Sequence, residues 1–348
     1  MNKTPLIIPI FIPHSGCLHK CIFCNQNLIA NKKTKETINK EHIDKTIKQY
    51  LKYKNKRLEV ELAFFGGNFL GLSSKNIIEM LDFAETYIHE KQINKIRFST
   101  RPDTITKKNL ELIEPYNIST IEIGVQSMNN KVLKTSKRGC TKADTICAIN
   151  LLKKYPFKTG VQVMIGLPED NEKRLIKGIK QLALLKGIDF ARIYPLIVFE
   201  NTILAKWYKQ KKYHPLSLKK SIDLTKKVYL IFKKARIKVI RMGLQTSDII
   251  EDKSNAIAGP WHPAFGHLVF SSLFYDNICD KINSSLDLLI AKNLVLIVHP
   301  NSESRLRGNK NSNLKNLNIK YPDLKFSITC DKKISKNKVL ITKATLLA

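Results

Sequence analysis

The chain has 348 residues, enough for one large α/β domain or two ordinary ones. Its 43% hydrophobic content supports a packed core and excludes a globally disordered chain, and no run approaches the roughly 18 apolar residues of a membrane-spanning helix. Lys and Arg number 60 against 29 Asp and Glu, a formal net charge of +31. Such an excess attracts polyanions such as nucleic acid or anionic lipid, unless it reflects only a bias toward Lys, Asn and Ile. Seven cysteines, three of them within residues 17–24, suit a reducing cytoplasm and a metal site better than a disulfide framework.

In chain order, Leu6–Ile12 is apolar but interrupted by Pro9 and has no small-residue cleavage site, so it reads as a buried strand and not a signal peptide. Further strands are expected at Glu59–Phe65, Lys95–Thr100, Thr120–Val125, Lys158–Ile165 and Phe190–Pro195. Amphipathic helices are expected between them, at Lys40–Lys52, Lys75–Glu90, Lys107–Glu114, Lys142–Lys153 and Asn171–Lys186. Strands alternating with helices predict an α/β fold built on a parallel sheet with right-handed crossovers, a partial (β/α)6 TIM-like barrel whose reactive groups sit on loops at the strands' C-terminal ends. Beyond about residue 200 the alternation fades into a helix at Leu216–Lys234, a short strand at Ile237–Met242, and an aromatic turn at Ala258–Gly266. Two apolar stretches follow, Leu268–Tyr275 and Leu286–Val298, then strand-like runs at Lys325–Thr329 and Lys338–Thr342. We expect a core over 1–245 and a C-terminal α+β extension over 246–348 with no assigned role.

The densest chemical signal is Cys17-x3-Cys21-x2-Cys24 on the loop after the first strand. Three thiolates on one short loop can converge on a [4Fe–4S] cluster, which ordinarily has four cysteine ligands. The fourth iron is then left open to substrate, as the vacant position of catalytic zinc is. Gly16 permits the tight path. A zinc site completed by His14 or His19 and three unconnected buried thiols are the other readings of the same residues.

Together with Phe11-Ile12-Pro13-His14-Ser15-Gly16 before it and Asn25-Gln26 after it, this loop resembles the radical S-adenosylmethionine (radical SAM) superfamily in its Elongator-protein-3-like branch. Phe64-Phe65-Gly66-Gly67-Asn68-Phe69 resembles the family's Gly-Gly loop, and Ser99-Thr100-Arg101-Pro102-Asp103 its Thr-Arg-Pro-Asp segment. Glu122-Ile123-Gly124-Val125-Gln126-Ser127 with Arg138-Gly139, Gln162-Val163-Met164-Ile165-Gly166-Leu167-Pro168, and Arg192-Ile193-Tyr194-Pro195-Leu196 resemble the motifs at the ends of strands four, five and six. Asn68 departs from the acidic or small hydroxyl residue common at its position. The resemblance spans residues 5 to about 245.

The resemblance implies a radical SAM enzyme in which Cys17, Cys21 and Cys24 hold a [4Fe–4S] cluster. SAM would chelate the open iron and be cleaved reductively to a 5′-deoxyadenosyl radical that abstracts hydrogen from substrate. It implies SAM contacts from Gly66, Gly67, Asn68, Ser99, Gln126, Arg138, Gln162 and Gly166, with an electron donor such as flavodoxin or ferredoxin. Relatives in this branch act on wobble uridine of tRNA through a further acetyltransferase domain, whose pattern the last hundred residues do not display. The substrate is therefore open, with tRNA or another RNA favoured by Lys206–Lys238, which holds twelve Lys/Arg against Asp223, and by the basic tail Arg305–Lys343. The resemblance to coproporphyrinogen-dehydrogenase-like radical SAM proteins is an alternative, as is a non-catalytic metal- and RNA-binding protein. Arg192 and Arg241, each on or beside a strand among apolar residues, are candidates for a substrate anion site or for structural ion pairs.

Overall fold

In the computed structural model the described residues are 5–12, 15–25, 40–55, 57–244 and 255–343. The strands are β1 (Leu6–Ile12), β2 (Val60–Gly66), β3 (Lys95–Thr100), β4 (Ile118–Gln126), β5 (Lys158–Ile165), β6 (Phe190–Pro195), β7 (Val198–Phe199), β8 (Lys238–Met242), β9 (Ala256–Ala258), β10 (Asn293–Val298), β11 (Lys325–Cys330) and β12 (Val339–Lys343). The chain divides into two compact units, Met1–Ser217 with Val228–Trp261, and Leu218–Lys227 with His262–Ala348.

The first unit is built on a sheet ordered β1-β2-β3-β4-β5-β6-β8, parallel at every pairing. It curls into a half-barrel, a partial TIM barrel. Four of the six expected core strands have the expected bounds, and the other two differ by one or two residues at an end. The short strand after them joins the same sheet as its seventh member, β8 beside β6. The first four strands supply much of the core: Ile8, Ile10 and Ile12 on β1, Leu62 and Phe64 on β2, Ile96 and Phe98 on β3, and Ile121 and Ile123 on β4 are all essentially inaccessible. The intervening helices start where a polar side chain takes up a free amide. Ser73 accepts from Asn76 N, Thr106 from Asn109 N and Asn171 from Arg174 N, and Thr141 forms a capping box with Asp144. With helices against one face, the opposite set of strand residues is left for chemistry, and the loops at the strands' C-terminal ends gather at one rim.

The second unit holds a three-stranded sheet ordered β11-β10-β12, in which β10 pairs parallel with β11 and antiparallel with β12. Its core joins Phe274, Ile278 and Ile282 of the helix Phe265–Asn283 to Leu294, Leu296 and Val298 of β10. It is α+β in character, as expected of the C-terminal region, but its bounds differ from 246–348: it begins at His262 and takes in Leu218–Lys227.

Candidate active site

The cysteine loop and the Gly-Gly loop lie against each other because neither has a Cβ at the crossing. Gly67 N donates to Ile12 O (2.9 Å) and Asn68 N to Ser15 O (2.8 Å). A Cβ on Gly67 would lie 2.3 Å from Ser15 O, and one on Gly16, whose φ is +70°, 2.1 Å from Asn68 O. Either substitution forces the two backbones apart. On this support Cys21 is buried while Cys17 and Cys24 are partly exposed, and Cys24 N donates to Cys21 O at 3.1 Å. Burial pushes the Cys17 thiol upward, against the opposing pull of Arg138 and Arg101. Among the described residues no three His, Cys, Asp or Glu side chains converge tightly enough to enclose a single metal ion. His14 lies outside the described residues.

Arg138 comes to this loop from the segment after β4. Its Nη1 donates to Cys21 Sγ (3.4 Å), its Nη2 donates to Gly124 O (2.7 Å), and its Nε is buried without a hydrogen-bond partner among the described residues. The guanidinium passes over Gly124, where a Cβ would lie 2.8 Å from Nη2. Two residues on, the β4–β5 register slips and Gln126 takes φ +62°, a left-handed conformation that costs a non-glycine residue about 1 kcal/mol or more. Its Oε1 is also buried and unpartnered. Two buried polar atoms without partners, on side chains that both approach Gly124 and one of which reaches Cys21, suit a polar ligand at the cysteine loop, and the donor set of three thiols fits an iron–sulfur cluster.

Asn68 is placed differently. Fully buried, its Nδ2 donates to Gly16 O (2.9 Å) while its Oδ1 accepts from Thr100 Oγ1 (2.7 Å), Thr104 Oγ1 (2.9 Å) and Arg101 N (2.9 Å). Its side chain ties three loops together, with one Nδ2 hydrogen outside these bonds. Gly66 ends β2 at φ +101°, and Gly166 follows β5 at φ +86°, its carbonyl accepting from Tyr213 Oη at 2.7 Å.

Ser99 of β3 and Gln162 of β5 flank β4 on the same side of the sheet, and Gln162 Nε2 lies 3.4 Å from Ser99 Oγ and 3.1 Å from Glu122 Oε2 of β4. Glu122, wholly buried on β4, organises this face. It accepts from Arg97 Nη2 of β3 (2.6 Å) and Arg192 Nη2 of β6 (3.0 Å), and Arg97 Nη1 also donates to Glu61 Oε2 of β2 (2.8 Å). Arg192 is thus an ion-pair partner, and Arg241 stands opposite it in the β6–β8 register. Burial raises the Tyr194 hydroxyl, against the pull of Arg192 and Arg241. Of the Glu61–Arg97–Glu122–Arg192 chain, sequence reasoning singled out only Arg192 as a candidate ion pair and missed its partners. Their signal was a single charge on each of several consecutive apolar strands.

The comparisons agree with this geometry. Residues 11–182 match the radical SAM superfamily model and 188–274 the radical SAM C-terminal domain model. The chain belongs to the radical SAM superfamily and is a radical SAM enzyme, of a class that binds a [4Fe–4S] cluster and SAM. Within that superfamily its relatives are Elongator-protein-3-like. It is 31% identical over 220 residues to an uncharacterized protein of Methanocaldococcus jannaschii (60% of this chain, 66% of that one). It is 30% identical over 157 residues to the tRNA uridine(34) acetyltransferase of the same organism (44% of this chain, 28% of that one). The archaeal Elp3 of Methanocaldococcus infernus with its N-terminus deleted shares the fold, with a TM-score of 0.62 at 20% identity over 78% of this chain and 63% of that one. The chain thus spans about two-thirds of the first relative and under a third of the second. Among the described residues no helix is long and apolar enough to cross a membrane.

Proposed function

We propose that Cys17, Cys21 and Cys24 hold the [4Fe–4S] cluster, that SAM binds beside it at the rim of the half-barrel, and that the substrate is RNA, with tRNA the first candidate. The convergence of the cysteine loop, the Gly-Gly loop and Arg138 on one rim supports the cofactor reading most directly. When bound, the cluster and SAM supply a one-electron cleavage that ends in hydrogen abstraction from substrate. The chain's own residues do the rest. The backbone of Gly66 and Gly67 would take the methionine amino group, and Gln126 Oε1 and Arg138 Nε, buried without partners among the described residues, would offer their unused hydrogen-bonding capacity to the cofactor. Arg138 also places a positive charge against Cys21. Glu122 holds Arg192 and Gln162 in fixed positions on the face where substrate would enter, so that polar substrate groups meet preorganised partners.

The RNA reading is supported by the similarity to a tRNA uridine(34) acetyltransferase and by the +31 charge. A cytoplasmic location and a flavodoxin or ferredoxin as electron donor fit the same chemistry. The test is anaerobic incubation of reconstituted protein with SAM, dithionite and tRNA from a deletion strain. Formation of 5′-deoxyadenosine and a tRNA nucleoside change seen by mass spectrometry are expected, both abolished by Cys21→Ala. Product 5′-deoxyadenosine with no altered tRNA nucleoside overturns the RNA substrate. Iron-free protein with no such product overturns the cofactor reading.

A further inference from the structure

Gly166 belongs to a second feature, a cavity of about 440 Å³, within the roughly 300–1,000 Å³ range of small-molecule sites. None of the cysteines, nor Gln126, Arg138, Ser99, Glu122, Gln162 or Arg192, lines it. Its walls are the turn after β5, the end of the helix Asn130–Thr135, and the segment following the helix Ile203–Lys209. The turn is held tightly. Gly166 and Glu169 both take left-handed φ values, +86° and +64°, Asp170 N donates to Leu167 O (3.0 Å), and the buried Tyr213 anchors the Gly166 carbonyl.

Asp170 lines this cavity with one carboxylate oxygen unused. Its Oδ1 accepts from Asn171 N (2.9 Å), whereas its Oδ2 is buried with no hydrogen-bond partner among the described residues. Burial pushes this carboxyl up to about 6. The partly buried Trp207 supplies a flat aromatic wall, and the exposed Lys212 ammonium and His214 imidazole line the same cavity as hydrogen-bond donors. The four features select a ligand. An aliphatic ligand leaves Asp170 Oδ2 unpaired, and a purely anionic one meets Asp170 and Glu169. A flat group with an N–H donor at one end and a negative charge at the other satisfies all four.

We propose that this cavity binds a nucleotide through an amino-bearing base, which stacks on Trp207, donates its exocyclic amino group to Asp170 Oδ2, and leaves its phosphate at Lys212 and His214. The inference deepens the RNA reading and rests on it only for the source of the nucleotide, a position within an RNA strand or a free mononucleotide. Base stacking on an aromatic side chain tolerates many sequences, whereas the single acceptor discriminates for the amino group.

The chain has two tryptophans, so Trp261→Phe leaves Trp207 as the sole indole. Full-length protein with that change is titrated with AMP, purine riboside 5′-monophosphate, adenosine, a short oligoadenylate and SAM, following indole fluorescence. Equilibrium dialysis of unsubstituted protein with labelled AMP runs in parallel, in case Trp261→Phe misfolds. AMP should quench, and purine riboside 5′-monophosphate, which lacks only the amino group, should bind about tenfold more weakly. Asp170→Ala should erase that difference, and Lys212→Ala should weaken AMP but not adenosine. Oligoadenylate binding more tightly than AMP supports the pocket with RNA as the source, and AMP binding as tightly or more tightly supports it with a free nucleotide. Absence of millimolar AMP binding in both assays overturns the proposal. So does SAM quenching more strongly than AMP in an Asp170-dependent manner, which would assign the cavity to the cofactor's adenine. No radical chemistry is measured here. Retained AMP binding beside an unmodified tRNA would therefore sink the RNA substrate and leave the pocket standing.

Discussion

Arg138 Nη1 lies 3.4 Å from Cys21 Sγ, so the one buried thiol of the cysteine loop has a guanidinium against it. The same guanidinium is pinned from its other side by Gly124 O at 2.7 Å, which makes its position a property of β4 and not of a free rotamer. A cation fixed beside a cluster thiolate stabilises the more negative redox state. Arg138→Gln should leave three cysteines and iron content intact while lowering the reduction potential of the reconstituted cluster. A hydrogen bond to a charged group is worth about 1.5 kcal/mol or more, which for a one-electron couple corresponds to roughly 60 mV. An EPR-monitored redox titration reads this directly. An unchanged potential would show that Arg138 only packs there.

Gly124 offers a second way to the same arrangement. A methyl at this position would stand 2.8 Å from Arg138 Nη2 and 3.2 Å from Gln126 Nε2. Gly124→Ala should therefore displace both side chains at a stability cost of about 1–3 kcal/mol, and SAM cleavage should fall as it does in Arg138→Gln. In the double variant the second change should add little to the first, because both act on one guanidinium. Additive losses in single-turnover SAM cleavage would separate the two residues.

Asn68 is expected to matter for folding of the rim and not for cofactor affinity as such. Asn68→Ala takes the side-chain partner from Arg101 N and Gly16 O, whereas Thr100 Oγ1 and Thr104 Oγ1 keep each other, Leu70 N and Arg101 O. Each buried group left unpaired costs about 1–3 kcal/mol, so a large drop in the thermal midpoint should accompany poor iron incorporation. Asn68→Asp keeps the acceptor and loses only the Nδ2 donation to Gly16 O, and should fall between wild type and Asn68→Ala. A melt unaffected by Asn68→Ala would mean that the three loops hold together without it.

The strands were legible because their apolar residues alternate, or run continuously where both faces are covered, and because Gly and Pro punctuate their ends. The cysteine loop was legible because its spacing is local. Strand ends gather at one rim in a parallel half-barrel, so motifs more than a hundred residues apart, such as Cys21 and Arg138, could be placed in one region without coordinates. What was not legible depends on register. Whether Glu122 faces Arg97, Arg192 or solvent is decided by pairings across β3, β4, β5 and β6, and a lone charge on an apolar strand looks the same in each case. Asn68 stood in a motif position where a cofactor contact was expected. Only the coordinates reveal that its Oδ1 is taken by three protein donors and that one Nδ2 hydrogen goes to Gly16 O.

That register-dependent network yields its own prediction. Glu122 lies between Arg97 and Arg192 with no access to water. Glu122→Gln leaves both guanidiniums beside a neutral amide, and breaking a buried ion pair by removing one partner costs about 3–5 kcal/mol. Chemical denaturation should show a loss of that order, larger than for Arg192→Gln, because the Glu122 carboxylate serves two cations and Arg192 only one carboxylate. Equal losses from the two substitutions would indicate that Arg97 is satisfied by Glu61 alone.

Asp170 makes stability depend on pH in a direction opposite to that of most carboxylates. Its folded-state value, about 6, lies above the ordinary 3.8, so the folded chain holds this proton more tightly than the unfolded chain. Well below pH 3.8 both states are protonated and no penalty arises. As pH rises from 3.8 through about 6, the folded state is left with a buried charge, and stability falls to a plateau above that window. Asp170→Asn removes the titration. It should converge on wild type as pH falls toward 3.8 and exceed it at pH 7 by about 1–2 kcal/mol, after allowance for partial solvent access. Denaturation midpoints of both proteins between pH 4 and 8 test this, and parallel profiles would mean that Asp170 Oδ2 is solvated in solution. A nucleotide whose amino group reached Oδ2 would remove part of the same penalty, so AMP should stabilise wild type more at pH 7 than at pH 5.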